Sequence, residues 1–336
     1  MAVYTEVSLS EAQELFQPLG KIIEFEGIKE GVENTNYLVK LSDNKKIILT
    51  LFEKRTEEQD LPYFNNLMKL FYDNGISCPL SLTLNNKNLF KIKGKPCCIY
   101  SFIEGRPVVK PNLEQLKSLG NSIAQLHQFG DHSELFRENM MLLPTWKFIT
   151  SQFSKYETKL NSSEYKYILN NIHTLSDSFP QNLRKINIHA DLFKDNIFFV
   201  GNQVSGFIDF FFSCTDTIIY DLATFVNAWF FSENKFIEEN YVSFLRSYKE
   251  SIELTPEEKS NFNFYLKVSA IRFFLTRIYD LNFNLEETLN IKIPWSFLKY
   301  LNFMKIIIYR IFFDKGIHRW LMSRKPWKWG LGVFNN

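Results

Sequence analysis

Between Ile186 and Phe212 the chain reads INIHADLFKDNIFFVGNQVSGFIDFFF, two apolar runs interrupted by carboxylate and amide side chains at fixed intervals. Asp191 follows the first run, Asn196 stands five residues later, and Asp209 closes the second run thirteen residues beyond that. These intervals have a geometric meaning. Asp191 leaves the end of one strand, four residues turn the chain, and Asn196 begins the next strand. Ile197–Val200 and Val204–Ile208 can pair through a tight turn at Gly201-Asn202, as a hairpin does. That hairpin returns Asp209 beside Asn196, so that two oxygen ligands converge on one hard cation. A loop whose Asp and Asn merely cap turns is the plainer reading for any one of these residues. It does not account for all three at these intervals between apolar strands.

The same order occurs in a kinase catalytic loop, where H-R-D-x-x-x-x-N places an Asp near the accepting hydroxyl and an Asn on magnesium. Asp209-Phe210 corresponds to the start of the D-F-G element, with Phe211 in place of its Gly. HADLFKDN followed by GFIDF resembles the aminoglycoside phosphotransferase and choline kinase superfamily of small-molecule kinases. The continuation FFSCTDTIIYDLATFVNAW, with GIKEGVENTNYLV and IILTLFEKR near the start, is more similar still to the homoserine kinases of that superfamily. The likeness runs from about Ala2 to about Phe303, and Ala190 replaces the Gly common in the H-G-D triplet. It implies an α+β, two-lobed protein-kinase-like fold with a small antiparallel β-rich N-lobe and a larger, mainly helical C-lobe. It also implies ATP and Mg2+ as cofactors and L-homoserine as the small-molecule substrate. Asp191 would then be the catalytic residue, and Asn196 and Asp209 the metal ligands. His189 and the buried Asp221 of Tyr220-Asp221-Leu222-Ala223 would brace the loop.

With 336 residues the chain is long enough for two lobes. A net charge of +2 gives no reason to expect nucleic acid as a partner. Cys78, Cys97, Cys98 and Cys214 lack zinc-like spacing and read as buried thiols in a reducing cytoplasm. MAVYTEVSLS has neither a basic start nor an apolar run, so no signal peptide is expected. We divide the chain into a nucleotide-binding lobe (1–103), a catalytic and substrate lobe (104–302) and a basic aromatic extension (303–336).

The first lobe begins with a helix from Leu9 to Phe16, opened by a Ser8/Glu11 capping box. Strands are expected at Lys21–Ile28, Tyr37–Leu41, Lys46–Phe52, Ser81–Leu84, Leu89–Ile92 and Pro96–Ile103. A helix over Gln59–Asp73 carries Leu61, Phe64, Leu67, Met68 and Phe71 at helical spacing. The loop from Gly27 to Asn36 has the flexibility to cover phosphates, but its glycines alone suit a plain hairpin equally well. By resemblance, Gly31, Asn34, Thr35 and Asn36 would border the nucleotide. An adenine ring would meet backbone groups around Ser101 and Ile103 at the hinge. One kinase part is missing: Thr50 stands where the third strand carries a Lys, and Tyr63 and Phe64 stand near the expected helix Glu. Lys54 or Arg55 could reach phosphates instead. His127 and His132 read as core or surface histidines.

A pocket for homoserine needs a guanidinium for the carboxylate and an acceptor for the ammonium. Arg272 and Arg277 are the guanidinium candidates, on a helix expected from Thr255 to Leu281 whose apolar stripe is Ala270, Phe273, Phe274 and Ile278, with both arginines facing elsewhere. Asn227 and Asp195 are the amine-side candidates. A choline or ethanolamine kinase would want an aromatic cage, for which Trp229, Phe230 and Tyr220 are available. An aminoglycoside kinase, or a catalytically silent nucleotide-binding module, would carry much the same loop. From Lys299 to Lys328 there are eight Lys or Arg against Asp314 alone. Docking of this tail on the large lobe is the favoured expectation, and contact with anionic lipid the lesser one. No feature of the sequence sets an oligomeric state.

Overall fold

The computed structural model describes residues 5–29, 33–53, 55–153, 162–232 and 235–283. Gly31, Lys54, the Arg277 side chain and the 303–336 extension lie outside the described residues. Helix α1 (Leu9–Phe16) starts on the expected capping box, with Ser8 N–H donating to the Glu11 carboxylate at 2.9 Å. Strands β1 (Ile22–Ile28), β2 (Thr35–Leu41) and β3 (Lys46–Leu51) follow, and helix α2 (Leu61–Asp73) buries Phe64, Leu67, Met68 and Phe71. With β4 (Phe90–Ile92) and β5 (Lys95–Ser101) they complete an antiparallel sheet ordered β1-β2-β3-β5-β4. Along β2 the inward side chains alternate, Thr35, Tyr37, Val39 and Leu41, as a sheet with one covered face demands.

The expected strand at Ser81–Leu84 does not form. Ser81 makes a single bridge to Tyr100, and Leu84 pairs with Lys87 across a turn whose Asn85 and Asn86 both have positive φ. Pro79 removes a donor at the start of this segment, and the Asn-Asn turn ends it after a few residues.

The chain leaves the sheet through Gly105, at φ +125°, where a Cβ would collide with Ser205 Oγ and the Phe199 carbonyl. Only Gly fits so close an approach with that backbone. Strand β6 (Arg106–Pro107) follows, then helices α3 (Leu113–Asp131), α4 (Leu143–Phe153) and α5 (Ser162–Ser176). Strand β7 (Lys185–Ile188) leads into the hairpin β8 (Ile197–Val200) and β9 (Gln203–Phe207), and β6 joins the edge of β8. Strand β10 (Cys214–Thr217) returns antiparallel to β7 and feeds α6 (Ile218–Trp229). Helices α7 (Glu238–Tyr248) and α8 (Pro256–Phe283) complete a two-lobed α+β fold with a β-rich N-lobe and a mainly helical C-lobe.

Two buried clusters hold this together. One joins α1 to β1–β5, whereas the other runs continuously from α2 through β7–β10 to α6, α7 and α8. Helix α2 therefore shares its core with the C-lobe. Along α8 the expected one-sided stripe gives way to burial of every residue from 268 to 275. Arg272 belongs to that run, so it faces inward and not away from the core, because α8 is surrounded on several sides. Among the described residues no helix is long and apolar enough to cross a membrane.

Candidate functional site

The loop after β7 is built on one buried carboxylate. Asp221, in the first turn of α6, accepts the His189 N–H at 3.0 Å and the Ala190 N–H at 2.8 Å. Its Oδ2 also meets His127 Nε2 at 3.1 Å, and His127 Nδ1 meets the Tyr248 hydroxyl at 2.9 Å. All these side chains are fully buried, which makes their mutual satisfaction compulsory. The His189 ring carries its proton on Nε2, which donates to the Ile208 carbonyl at 2.9 Å, while Nδ1 accepts the Asp191 N–H at 3.2 Å. Burial holds its pKa below the ordinary histidine value. The ring thereby ties the turn at Ala190 and Asp191 to the end of β9. Ala190 adopts φ +64°, a left-handed conformation that L residues rarely take.

At the tip of this loop Asp191 Oδ2 and its own carbonyl each accept Asn196 Nδ2, both at 2.9 Å. This turns the amide oxygen of Asn196 away from Asp191. Asp191 Oδ1 accepts Arg272 Nη1 at 3.2 Å, and the same nitrogen reaches the Ala190 carbonyl at 3.3 Å. The guanidinium lies 3.9 Å from the Phe273 ring centre and 4.8 Å from that of Phe212. The β8–β9 register sets Asn196 opposite Ile208, whose N–H donates to the Asn196 carbonyl at 2.9 Å. Asp209 follows at once, in a left-handed conformation (φ 64°, ψ 60°) that turns it off the strand.

Burial pushes the Asp209 carboxyl well above the usual carboxylate range, and the charges of Asp191, Glu33 and Asp195 push it further. Such crowding is what a divalent cation reverses. Among the described residues no three His, Cys, Asp or Glu side chains could hold a metal by themselves. The Asn196 amide oxygen and the Asp209 carboxylate offer only hard donors, and few of them. That fits an ion such as magnesium, which completes its shell with phosphate oxygens and water.

In the N-lobe, the side chains that the resemblance assigns to the nucleotide are differently disposed. Asn34 is buried, and its Oδ1 has no partner. Thr35 Oγ1 donates to Glu53 at 2.7 Å, and Asn36 Oδ1 accepts the Thr50 hydroxyl at 2.7 Å. Arg55 forms an ion pair with Glu33. At the hinge Ser101 Oγ accepts the Leu80 N–H at 2.8 Å, and Ile103 packs where Gly206 leaves room.

The missing Lys–Glu pair is replaced by other contacts. Thr50 bonds to Asn36, and Asn65 of α2 accepts the Tyr100 hydroxyl at 2.9 Å. Phe211, standing where D-F-G has its Gly, meets Phe52 at 4.9 Å and Phe64 at 5.7 Å. Tyr63 donates to Asn187 at 2.6 Å, and Arg137 clasps Asp60 with Nε at 2.9 Å and Nη2 at 2.7 Å.

Of the expected substrate residues, Arg272 lies at the site, against Asp191. Asn227 lies between α6 and α8, and its Nδ2 donates to the Leu266 carbonyl at 3.0 Å. Asp195 sits exposed on the turn between Asp191 and Asn196, and the Arg277 side chain is outside the described residues. Sequence reasoning misses His127 as a brace, and it misses Arg137 and Asp216 altogether. Their partners are 94, 77 and 77 residues away, so no local pattern marks them.

Residues 24–251 match the model of the phosphotransferase enzyme family. A homoserine kinase of Rhizobium etli is 36% identical over 284 residues, covering 83% of this chain and 88% of its own length. A homoserine kinase of Sinorhizobium fredii is 34% identical over 313 residues, covering 92% of this chain and 96% of its own. Among solved structures, an amicoumacin kinase in complex with AMP-PNP, Ca2+ and Ami superposes with a TM-score of 0.68 at 16% identity. That match covers 86% of this chain and 92% of the kinase. At that identity the likeness speaks for the fold alone.

Proposed function

The chain belongs to the phosphotransferase enzyme family, and from that premise we propose that it transfers the γ-phosphoryl group of ATP to the hydroxyl of L-homoserine. The product is O-phospho-L-homoserine, on the route to threonine. The reading rests above all on the convergence of Asp191, Asn196 and Asp209 at one end of the β8–β9 hairpin. Asp191 orients the hydroxyl and takes its proton as the new O–P bond forms and the bond to the β–γ bridging oxygen breaks. Arg272 steadies that carboxylate, and as the guanidinium at the site it is the candidate for the substrate carboxylate. Asn196 and Asp209 hold magnesium, which when bound neutralises phosphate charge and aligns the transferred group. Residues 34–36 border the phosphates, through backbone since the Thr35 and Asn36 side chains are engaged with Glu53 and Thr50, and the backbone around Ser101 and Ile103 receives the adenine. On this reading residues 1–103 form the nucleotide lobe and 104–302 the catalytic lobe. A cytoplasmic location goes with it, since ATP and free thiols are both maintained there. Asn227 is left to helix packing, because its amide is already engaged within the core.

A coupled assay of ADP release with a panel of amino alcohols tests the proposal. Homoserine should give the highest kcat/KM, magnesium should be required, and EDTA should stop turnover. Better use of choline than of homoserine would transfer the assignment to a choline kinase. No turnover with any acceptor would point to a silent nucleotide-binding module.

A further inference from the structure

Between α3 and α4 the chain carries a guanidinium to which the chemistry assigned so far gives no part. Arg137 is strapped to β10 by its backbone: its N–H donates to the Thr215 hydroxyl at 3.1 Å, and the Thr215 N–H donates to its carbonyl at 2.7 Å. Its side chain, largely buried, serves two directions at once. Nε and Nη2 both reach Asp60 Oδ2, at 2.9 Å and 2.7 Å, while Nη1 donates to the Ser213 carbonyl at 3.1 Å. Asp60 immediately precedes α2 yet has helical dihedrals (φ −86°, ψ −18°) and caps none of its amides, so its carboxylate is turned to Arg137. Ser213 stands at the far end of the turn that follows Asp209. Its N–H donates to the Phe210 carbonyl at 2.9 Å, which closes that turn, and its buried hydroxyl donates to the His189 carbonyl at 3.3 Å. The guanidinium also lies 4.8 Å from the ring centre of Phe64, which meets Phe211 of the same turn edge-on. Asp209 itself has a left-handed backbone, which an L residue keeps only where its surroundings enforce it.

We infer that Arg137 is a positioning residue for Asp209: anchored on Asp60 and strapped to β10, its guanidinium fixes the Ser213 carbonyl and with it the turn that Asp209 opens. The inference rests on the proposed role of Asp209 as a magnesium ligand and adds what keeps that ligand in place. Phosphoryl transfer depends on placement more than on covalent chemistry by the protein, and an error of about 1 Å at the site can cost about 10²-fold in rate. Arg suits this task because its planar fork can hold a carboxylate along one edge and a carbonyl along another. A Lys ammonium, on a flexible stem, keeps the charge without that geometry.

The test compares the wild type with Arg137→Gln, Arg137→Lys, Asp60→Asn and the combination of Arg137→Gln with Asp60→Asn. Arg137→Gln and Arg137→Lys should each lower kcat about 10- to 100-fold and raise the magnesium concentration for half-maximal rate at least about tenfold. The acceptor KM should stay within about threefold. Asp60→Asn should act in the same direction, and adding it to Arg137→Gln should cost less than about a further twofold, because the two groups act as one unit. In the protein without nucleotide or metal, amides 210–213 should exchange with solvent at least about tenfold faster in Asp60→Asn, a substitution that reaches them through Arg137. Being isosteric and part-exposed, Asp60→Asn serves should Arg137→Gln not fold. Unchanged exchange at 210–213 overturns the inference. So does a lower urea midpoint with kcat and magnesium dependence within about threefold of wild type, which reduces the clasp to a stabilising ion pair. If Asp209→Asn leaves the magnesium dependence unaltered while exchange at 210–213 responds as expected, the ligand assignment falls and the hold of Arg137 on the turn stands.

Discussion

The loop that carries Asp191 and the helix α2 are held in place by different physics. On the C-lobe side, Asp221 gathers the His189 and Ala190 amides and His127, and Asn196 and Arg272 both hold Asp191. Each contact is polar, directional and within 3.3 Å. On the other side, α2 is set by the rings of Phe52, Phe64 and Phe211, with Asn65 reaching β5 where a protein kinase would have an ion pair to β3. On the proposed function, charge is kept where a proton and a metal would be placed. It has been removed where only the position of a helix is at stake, and burying an ion pair there would bring a desolvation penalty without further gain. Because α2 shares its core with the C-lobe, it need not be drawn in by nucleotide binding.

This contrast can be broken most severely at the proposed metal ligands. Asp209→Asn removes the only charged member of the ligand pair, and turnover should fall by at least about 10⁴-fold with folding intact. Near-normal activity of Asp209→Asn in magnesium would falsify the ligand assignment. Asp191→Asn should follow, lowering kcat about 10²–10⁴-fold while KM for ATP stays within about threefold, since the residue faces the acceptor. A loss confined to ATP affinity would move Asp191 to another role.

The comparison is sharpened by restoring what the N-lobe lacks. Thr50 is buried and bonded to Asn36, and the α2 residues nearby are Tyr63, Phe64 and Asn65. Thr50→Lys would therefore bury an ammonium without its Glu and should destabilise the protein by about 2–4 kcal/mol, read from the urea midpoint. The KM for ATP should not improve. A tighter KM with stability preserved would show that the lost ion pair is still accommodated.

The difference between loop and helix also decides what the sequence makes legible. Asp191, Asn196 and Asp209 are legible because a hairpin converts sequence intervals into distances. The capping boxes at Ser8 and Thr255 are open to the same reading, being local. The His127 brace and the Arg137–Asp60 clasp are not, because they join residues 94 and 77 positions apart. The helical period alone puts Arg272 on the wrong face of its helix. That period presumes one apolar side, and α8 is enclosed on several. Phe211 reads in the sequence only as a departure from D-F-G, and its meaning comes from the rings around it.

The smallest expected effect isolates how the polar loop holds its backbone. Ala190 sits at φ +64° because Asp221 accepts its N–H together with that of His189, and both bonds require this turn. An L residue in that region costs about 1–2 kcal/mol, whereas Gly there costs only its extra unfolded-state entropy, about 0.5–1 kcal/mol. Ala190→Gly should thus stabilise the protein by up to about 1 kcal/mol, seen as a higher urea midpoint at constant slope. Because Asp221 already enforces the conformation, kcat should change by less than about threefold. Ala190→Val, β-branched in the same conformation, should destabilise by more than the Gly variant stabilises. If Ala190→Gly instead lowered kcat by about tenfold at unchanged stability, the turn would owe its shape to the Ala side chain. The carboxylate of Asp221 would then not be what sets the position of Asp191.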